Sequence, residues 1–235
     1  MDLDRIAGLL RPFDNDAALS PLLLSQVQRY LDLLLRWNAL INLTAVRDPE
    51  GIVTRHFGES LFAARVLRET QAPGPHLADV GSGAGFPGIP IKLVNPDLAL
   101  TLIESQSKKA VFLREAVRDL QLEGAGVFCG RAEQWGGTAE VVTLRAVERF
   151  AEILPVAAKL VAVEGRLCLL IGSEQFAVAR GALGGPWKWE PPAAVPQSAR
   201  RMVAVARRGL SEGGAETFLP ERPKKQVAMQ GWSGR

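Results

Sequence analysis

Asp79-Val80-Gly81-Ser82-Gly83-Ala84-Gly85-Phe86-Pro87-Gly88 sets four glycines and an acid within ten positions, directly after the apolar pair Leu77-Ala78. Glycines let a backbone turn sharply and approach a ligand with no Cβ in the way. A second apolar run, Ala99-Leu100-Thr101-Leu102-Ile103, ends in Glu104, 23 positions after Gly81. A carboxylate closing that strand can accept hydrogen bonds from both hydroxyls of a ribose. Strand, glycine turn, helix, strand and acid, at this spacing, predict a site for an adenosine-containing cofactor.

The glycines fit two registers. Gly83-x-Gly85-x-x-Gly88 matches the dinucleotide fingerprint, in which a pyrophosphate meets the turn and the helix N-terminus. Asp79-x-Gly81-x-Gly83-x-Gly85 matches the class I methyltransferase pattern, whose ligand, S-adenosylmethionine, has a sulfonium, an ammonium and a carboxylate but no phosphate. An acid two residues before the first glycine can orient the turn or meet that ammonium, and would repel a pyrophosphate. The methyl donor is therefore favoured, with an ordinary tight strand-to-helix turn as the plain alternative.

Other elements must hold this turn in place. Ser20-Pro21 provides a helix start, with serine as N-cap and proline in the first turn. Leu23, Leu24, Val27, Tyr30, Leu31, Leu34 and Leu35 then recur at three- and four-residue intervals. Asp48-Pro49 opens a further helical stretch through Phe57, followed by a helix over Glu59–Leu67. Residues 1–72 thus read as a helical cap, with Gln71-Ala72-Pro73-Gly74-Pro75 as the joint to residues 73–220. Beyond it, strand-like runs at 77–80, 99–103, 125–129, 141–144 and 166–171 alternate with helical runs near 87–94, 106–120, 132–135 and 149–163. That alternation predicts a doubly wound, parallel α/β sheet. Trp187–Trp189 and Arg201–Ala206 suit an antiparallel hairpin closing the sheet, and residues 221–235 form a basic tail.

Composition excludes several classes. The chain has 235 residues, 47% hydrophobic, enough for one sizeable core. No apolar run approaches the length of a membrane span, and Met1-Asp2-Leu3-Asp4-Arg5 has no basic signal region, so a cytoplasmic location is expected. Cys129 and Cys168 lie in apolar runs and read as buried free thiols. Two histidines and two cysteines leave little for a transition-metal site, and no metal is expected. Residues 176–235 hold 10 Lys and Arg against 4 acids, whereas residues 1–175 hold 18 against 21. A basic end on a mildly acidic body suits a polyanion, although a solubilising tail would look the same.

Several segments together resemble one family, the bacterial 16S ribosomal RNA guanine-N7 methyltransferases, RsmG (GidB). They are Trp37-Asn38-Ala39-Leu40-Ile41-Asn42-Leu43-Thr44, Arg55-His56 with Ser60-Leu61, the glycine turn through Phe86-Pro87-Gly88, and Glu104-Ser105 with Lys108-Lys109 and Phe112-Leu113-Arg114. Gly130-Arg131-Ala132-Glu133 and Arg145-Ala146 complete the set. The resemblance implies a class I S-adenosylmethionine-dependent fold, Rossmann-like, with a mostly parallel seven-stranded sheet behind the helical cap. It also implies that Gly81, Gly83 and Phe86 line the cofactor site, that Glu104 lies at the ribose and Ala132-Glu133 at the adenine, and that Arg145 sits at the exit of the fourth strand. Ile171-Gly172 stands where relatives commonly carry Lys-Gly.

The implied reaction is methylation of guanine N7 in the 16S rRNA of the small ribosomal subunit, by a monomer, leaving S-adenosyl-L-homocysteine. N7 carries a lone pair and no proton, so alignment and water exclusion suffice. Arg145 is the candidate for placing the base by donating to guanine O6, against a surface salt bridge to an acid such as Glu148. Asn42, Arg47, Arg55, His56, Lys108 and Lys109, with Arg222, Lys224 and Lys225 of the tail, are candidates for holding RNA. His56 pairing with an acid, Asn42 forming a turn and a solvated Lys108-Lys109 face are the plain alternatives. A methyltransferase acting on another RNA or on protein, and a nicotinamide-dependent oxidoreductase, stay open at this point.

Overall fold

A computed structural model of the protein describes residues 1–14, 19–70 and 74–210. The tail basics Arg222, Lys224 and Lys225 and most of the joint lie outside the described residues. Helices α1 (Leu3–Leu10) and α2 (Pro21–Asn38) begin under side-chain caps: Asp2 accepts from Arg5 N and Ser20 from Leu23 N. Asp48 caps α3 (Pro49–Ile52) in the same way, and a π-helical turn (Val53–Gly58) joins it to α4 (Glu59–Glu69).

The sheet contains β1 (His76–Val80), β2 (Ala99–Glu104), β3 (Ala125–Cys129), β4 (Ala139–Arg145), β5 (Val161–Gly172), β6 (Trp187–Trp189), β7 (Ala193–Ala194) and β8 (Arg201–Arg208). Their order is β3-β2-β1-β4-β5-β8-β6, seven strands in one path, with the two-residue β7 beside β8. β1 to β5 run parallel, and β8 runs antiparallel to β5 and β6. Helices α5 (Gly88–Val94), α6 (Ser107–Asp119), α7 (Phe150–Leu160) and α8 (Ser173–Ala182), with a 3-10 turn at Ala132–Gln134, connect the strands. The chain order reverses on either side of β1, so the crevice between the carboxyl ends of β1 and β4 is the switch point where open α/β sheets take ligands.

β5 starts at Val161, five residues before the expected 166, and α7 stops at Leu160. Val161 pairs with Ala139, and the β-branched Val161 and Val163 favour strand over continued helix. Cys129 corrects another expectation: it is exposed, while Cys168 is buried. β3 is the sheet edge, so its last residue lacks a neighbouring strand on one side.

The cap shares its core with the sheet. Tyr30 is fully buried, stacks on Phe86 at 5.5 Å and Phe112 at 6.3 Å, and meets Phe57 edge-on at 5.3 Å. Its hydroxyl donates to the Ala84 carbonyl, inside the glycine turn. Replacing Tyr30 by phenylalanine keeps the rings packed but strands that buried carbonyl. The expected cost is about 1–2 kcal/mol, read as a lower urea midpoint with an unchanged m-value.

Candidate active site

The glycine turn leaves β1 between two differently used faces. Gly83 has φ +55°, and a Cβ there would meet open space, its nearest contact being Gly81 O at 3.7 Å. Gly85, at φ +80°, points the other way, where a Cβ would collide with Tyr30 and Ile89. Gly81 and Gly83 therefore line the cavity, while Gly85 admits the cap.

Asp79 lies beneath the turn, 1% exposed. It accepts from Thr143 Oγ1 at 2.7 Å and Gly88 N at 3.3 Å. Burial raises its carboxyl to about 6, opposed by those donors. Of the two roles open to it, Asp79 orients the turn and does not face a ligand, so its charge does not itself repel a pyrophosphate.

Glu104, 5% exposed, accepts from Gly83 N at 2.9 Å through Oε2 and from Gln106 N at 2.7 Å through Oε1. Each oxygen keeps a second acceptor site. The carboxylate thus locks the turn to the end of β2.

Two adjoining cavities run along the carboxyl ends of the strands. One, of about 430 Å³, is lined by Gly81, Gly83, Phe86, Glu104, Lys109 and Arg145, with Thr44 and His56 from the cap. The other, of about 240 Å³, includes Ile103, Arg131, Ala132 and Glu133. They share Gly81, Ser105, Val147 and Glu148. The groove therefore brings together Gly81, Gly83, Phe86, Glu104, Ala132, Glu133 and Arg145. Phe86 is only 7% exposed, held by Tyr30, Phe57 and His56, whose ring centre lies 5.0 Å from its own.

Arg145 is neither free nor at a surface salt bridge with Glu148. Its side chain is 11% exposed. Nη2 donates to Arg55 O at 2.6 Å, to His56 Nδ1 at 3.1 Å and to Glu59 Oε2 at 3.1 Å. Burial lowers its guanidinium below the usual value, and Glu59 opposes the change. Glu59 is raised by burial against the pull of Arg145, Arg201 and Arg55.

His56, a candidate for holding RNA, is neutral in this structure. Its Nε2 lies 2.7 Å from Thr44 Oγ1. Because Nδ1 accepts from Arg145, the ring proton is assigned to Nε2. Burial first, then Arg145, Arg55 and Arg201, lower it to about 3, so at neutral pH it brings no charge. It pairs with a hydroxyl and a guanidinium, not an acid.

Arg55 and Lys108 are exposed, and Lys109 lines the larger cavity. Arg47 donates to Asn38 O and to Oδ1 of the exposed Asn42, both at 3.3 Å. The turn-forming amide is Asn38, whose Oδ1 accepts from Leu43 N and Thr44 N. Sequence reasoning missed Glu59, 3% exposed, although an acid in the largely apolar stretch Phe57–Ala64 was a visible signal. It also missed Arg201, whose Nη1 lies 2.6 Å from Glu59 Oε1. Among the described residues no group of His, Cys, Asp and Glu could hold a metal ion, and no helix is long and apolar enough to cross a membrane.

Comparison with known proteins gives a consistent result. The model of a family described as rRNA small subunit methyltransferase G (GidB) matches residues 23–180. Ribosomal RNA small subunit methyltransferase G of Roseiflexus sp. (strain RS-1) is 40% identical over 197 residues, 78% of this chain and 83% of that one. The protein of the same description from Stenotrophomonas maltophilia (strain K279a) is 46% identical over 159 residues, 67% and 71% of the two chains. Among solved structures, magnesium protoporphyrin IX methyltransferase (ChlM) from Synechocystis PCC 6803 with bound SAM superposes with a TM-score of 0.56. At 16% identity, over 83% of this chain and 100% of that one, it shows a shared fold.

Proposed function

The chain belongs to the family of rRNA small subunit methyltransferase G, enzymes that methylate small-subunit ribosomal RNA, and we propose that its donor is S-adenosyl-L-methionine and its acceptor the N7 of a guanine in 16S rRNA. The observation that carries the donor assignment is the pairing of Glu104 with the Gly83 amide at the switch point. The groove is open where a backbone must approach a ligand and presents a carboxylate where a ribose would lie. Phe86 offers an apolar surface, and Ala132-Glu133 offers backbone groups to an adenine edge.

Bound there, the donor supplies a sulfonium methyl to a purine nitrogen that has no proton to lose. Catalysis then falls to alignment and to excluding water. Arg145 is fixed through Nη2, whose two hydrogens are shared among Arg55 O, His56 Nδ1 and Glu59 Oε2, while the side chain lines the larger cavity and keeps Nη1 and Nε as donors for a base. The neutral His56 shares that wall and adds no competing cation.

Calorimetry with S-adenosyl-L-homocysteine tests the donor site. In Glu104→Ala we expect binding weaker by about 10–100-fold, the worth of a charged hydrogen-bond acceptor, while NADH binds neither protein. Equal affinity in variant and wild type would overturn the assignment. Mapping N7-methylguanine in small-subunit RNA from cells with and without the protein tests the acceptor. An unchanged map would remove the guanine N7 assignment.

A further inference from the structure

The strand ends continue past the groove toward β8, and there positive charge outnumbers acids. Gly172, the last residue of β5, pairs with Arg201, the first of β8. Arg201 therefore stands at the same ends of the strands as Arg145, the last residue of β4, two strand spacings or about 10 Å across the sheet and two residues further along it. The basic group at this corner comes from β8, because β5 itself ends in Ile171-Gly172.

One carboxylate serves two guanidiniums here. Glu59 Oε1 meets Arg201 Nη1 at 2.6 Å, and Oε2 meets Arg145 Nη2 at 3.1 Å. Arg55 is exposed and close enough to act on Glu59, and His56 is neutral. Arg200 adds a fourth guanidinium, exposed and without an ion pair among the described residues. Next to it lies a cavity of about 200 Å³ lined by Ser173, Ser198, Arg200 and Arg201 among others. Besides Glu59, Glu174 in the first turn of α8 is an acid adjacent in sequence to Ser173 of this cavity.

Arg201 is held ready at that wall. Ser198 Oγ accepts from its backbone N and from its Nε, both at 3.1 Å. Nη1 is held to Glu59 as a close ion pair without hydrogen-bond alignment, and the Nη1 and Nη2 hydrogens have no hydrogen-bond partner among the described residues. A partly exposed guanidinium, anchored at Nε by Ser198 and drawn toward Glu59 by charge, keeps donors free for a phosphate oxygen and matches it better than a mobile lysine would.

We propose that this corner is a phosphate subsite: Arg200 and Arg201, with the hydroxyls of Ser173 and Ser198 at the cavity wall, take a backbone phosphate of the RNA strand near the target guanine. The proposal rests on the RNA-methyltransferase assignment. Glu59 sets its spacing, since the same carboxylate holds the arginine of the base pocket and the arginine of the phosphate pocket.

The test uses the full chain and small ribosomal subunits purified from cells lacking it. Methyl transfer is measured against subunit concentration from 50 to 200 mM salt, for wild type, Arg200→Gln and Lys188→Gln. Lys188 lies on β6 opposite Arg207, at the far end of β8 from Arg201. Loss of one phosphate contact lowers the slope of log affinity against log salt by about 0.7–0.9. Arg200→Gln should show that drop and a several-fold higher KM for the subunit, with an unchanged Kd for S-adenosyl-L-homocysteine. Lys188→Gln should match wild type in all three. A wild-type salt slope in Arg200→Gln, or a weakened Kd for the homocysteine product, overturns the subsite. No methyl transfer by wild type would instead overturn the function on which it rests.

Discussion

Replacing Glu59 by alanine lowers the unfolding free energy by about 3–5 kcal/mol, the cost of leaving a buried charge without its partner. The carboxylate is 3% exposed and lies against two arginines, one of them, Arg145, itself 11% exposed at its side chain. Water cannot reach Arg145 well enough to take over, so its guanidinium stays desolvated and unpaired. Removing the stranded partner as well should restore part of the loss. The double variant Glu59→Ala/Arg145→Ala is then less destabilised than the sum of its single variants, by at least 1 kcal/mol. Urea titrations of the four proteins read this directly. A loss below 1 kcal/mol in Glu59→Ala would mean that the pair is solvated and that Arg145 is held by something else.

Lowering the pH from 6.5 to 4 costs the wild-type protein about 3 kcal/mol relative to His56→Gln. In the folded protein His56 titrates at about 3, against 6.5 for a free imidazole. Below 6.5 the unfolded chain takes up a proton that the fold refuses, so stability falls as the pH drops. Asp79 has the opposite sign. Its carboxyl titrates at about 6 in the fold against 3.8 outside, so its contribution is greatest in acid and is lost as the pH rises through 6. Between pH 4 and 6 the two slopes nearly cancel in wild type. His56→Gln removes one of them, and the difference between the two proteins isolates it. Parallel curves for the two proteins would show that His56 is not held neutral by its surroundings.

Local pattern carried much of the architecture. The glycine turn, the acid at the end of β2 and the apolar face of α2 are each written within a few residues, and each lies in the described fold at its expected place. What escaped are the partnerships across long stretches of chain. Arg145 has Glu59 and His56 as partners from the cap, 86 and 89 positions away, where the neighbouring Glu148 looked sufficient. Asp79 seemed equally able to face a ligand or the loop, and its bonds from Thr143, on β4, and from Gly88 N, at the end of the turn, settle which. His56 looked like a cation because nothing in its immediate neighbours reveals how deeply the cap covers it. Asn42 and Asn38 are both asparagines near one turn, and the choice between them depends on which amide reaches Leu43 N and Thr44 N. These are facts about packing, and periodicity does not contain them.

The hydroxyl of Tyr30 reaches from α2 to the carbonyl of Ala84. The turn is thus not an autonomous module that could be grafted with its sheet alone. Its shape is finished by a helix that arrives more than fifty positions earlier, at a spot where any residue but glycine at 85 would block the approach. A hybrid that took its first seventy residues from a distant cousin would have to import Tyr30 and the small residue facing it as a matched set.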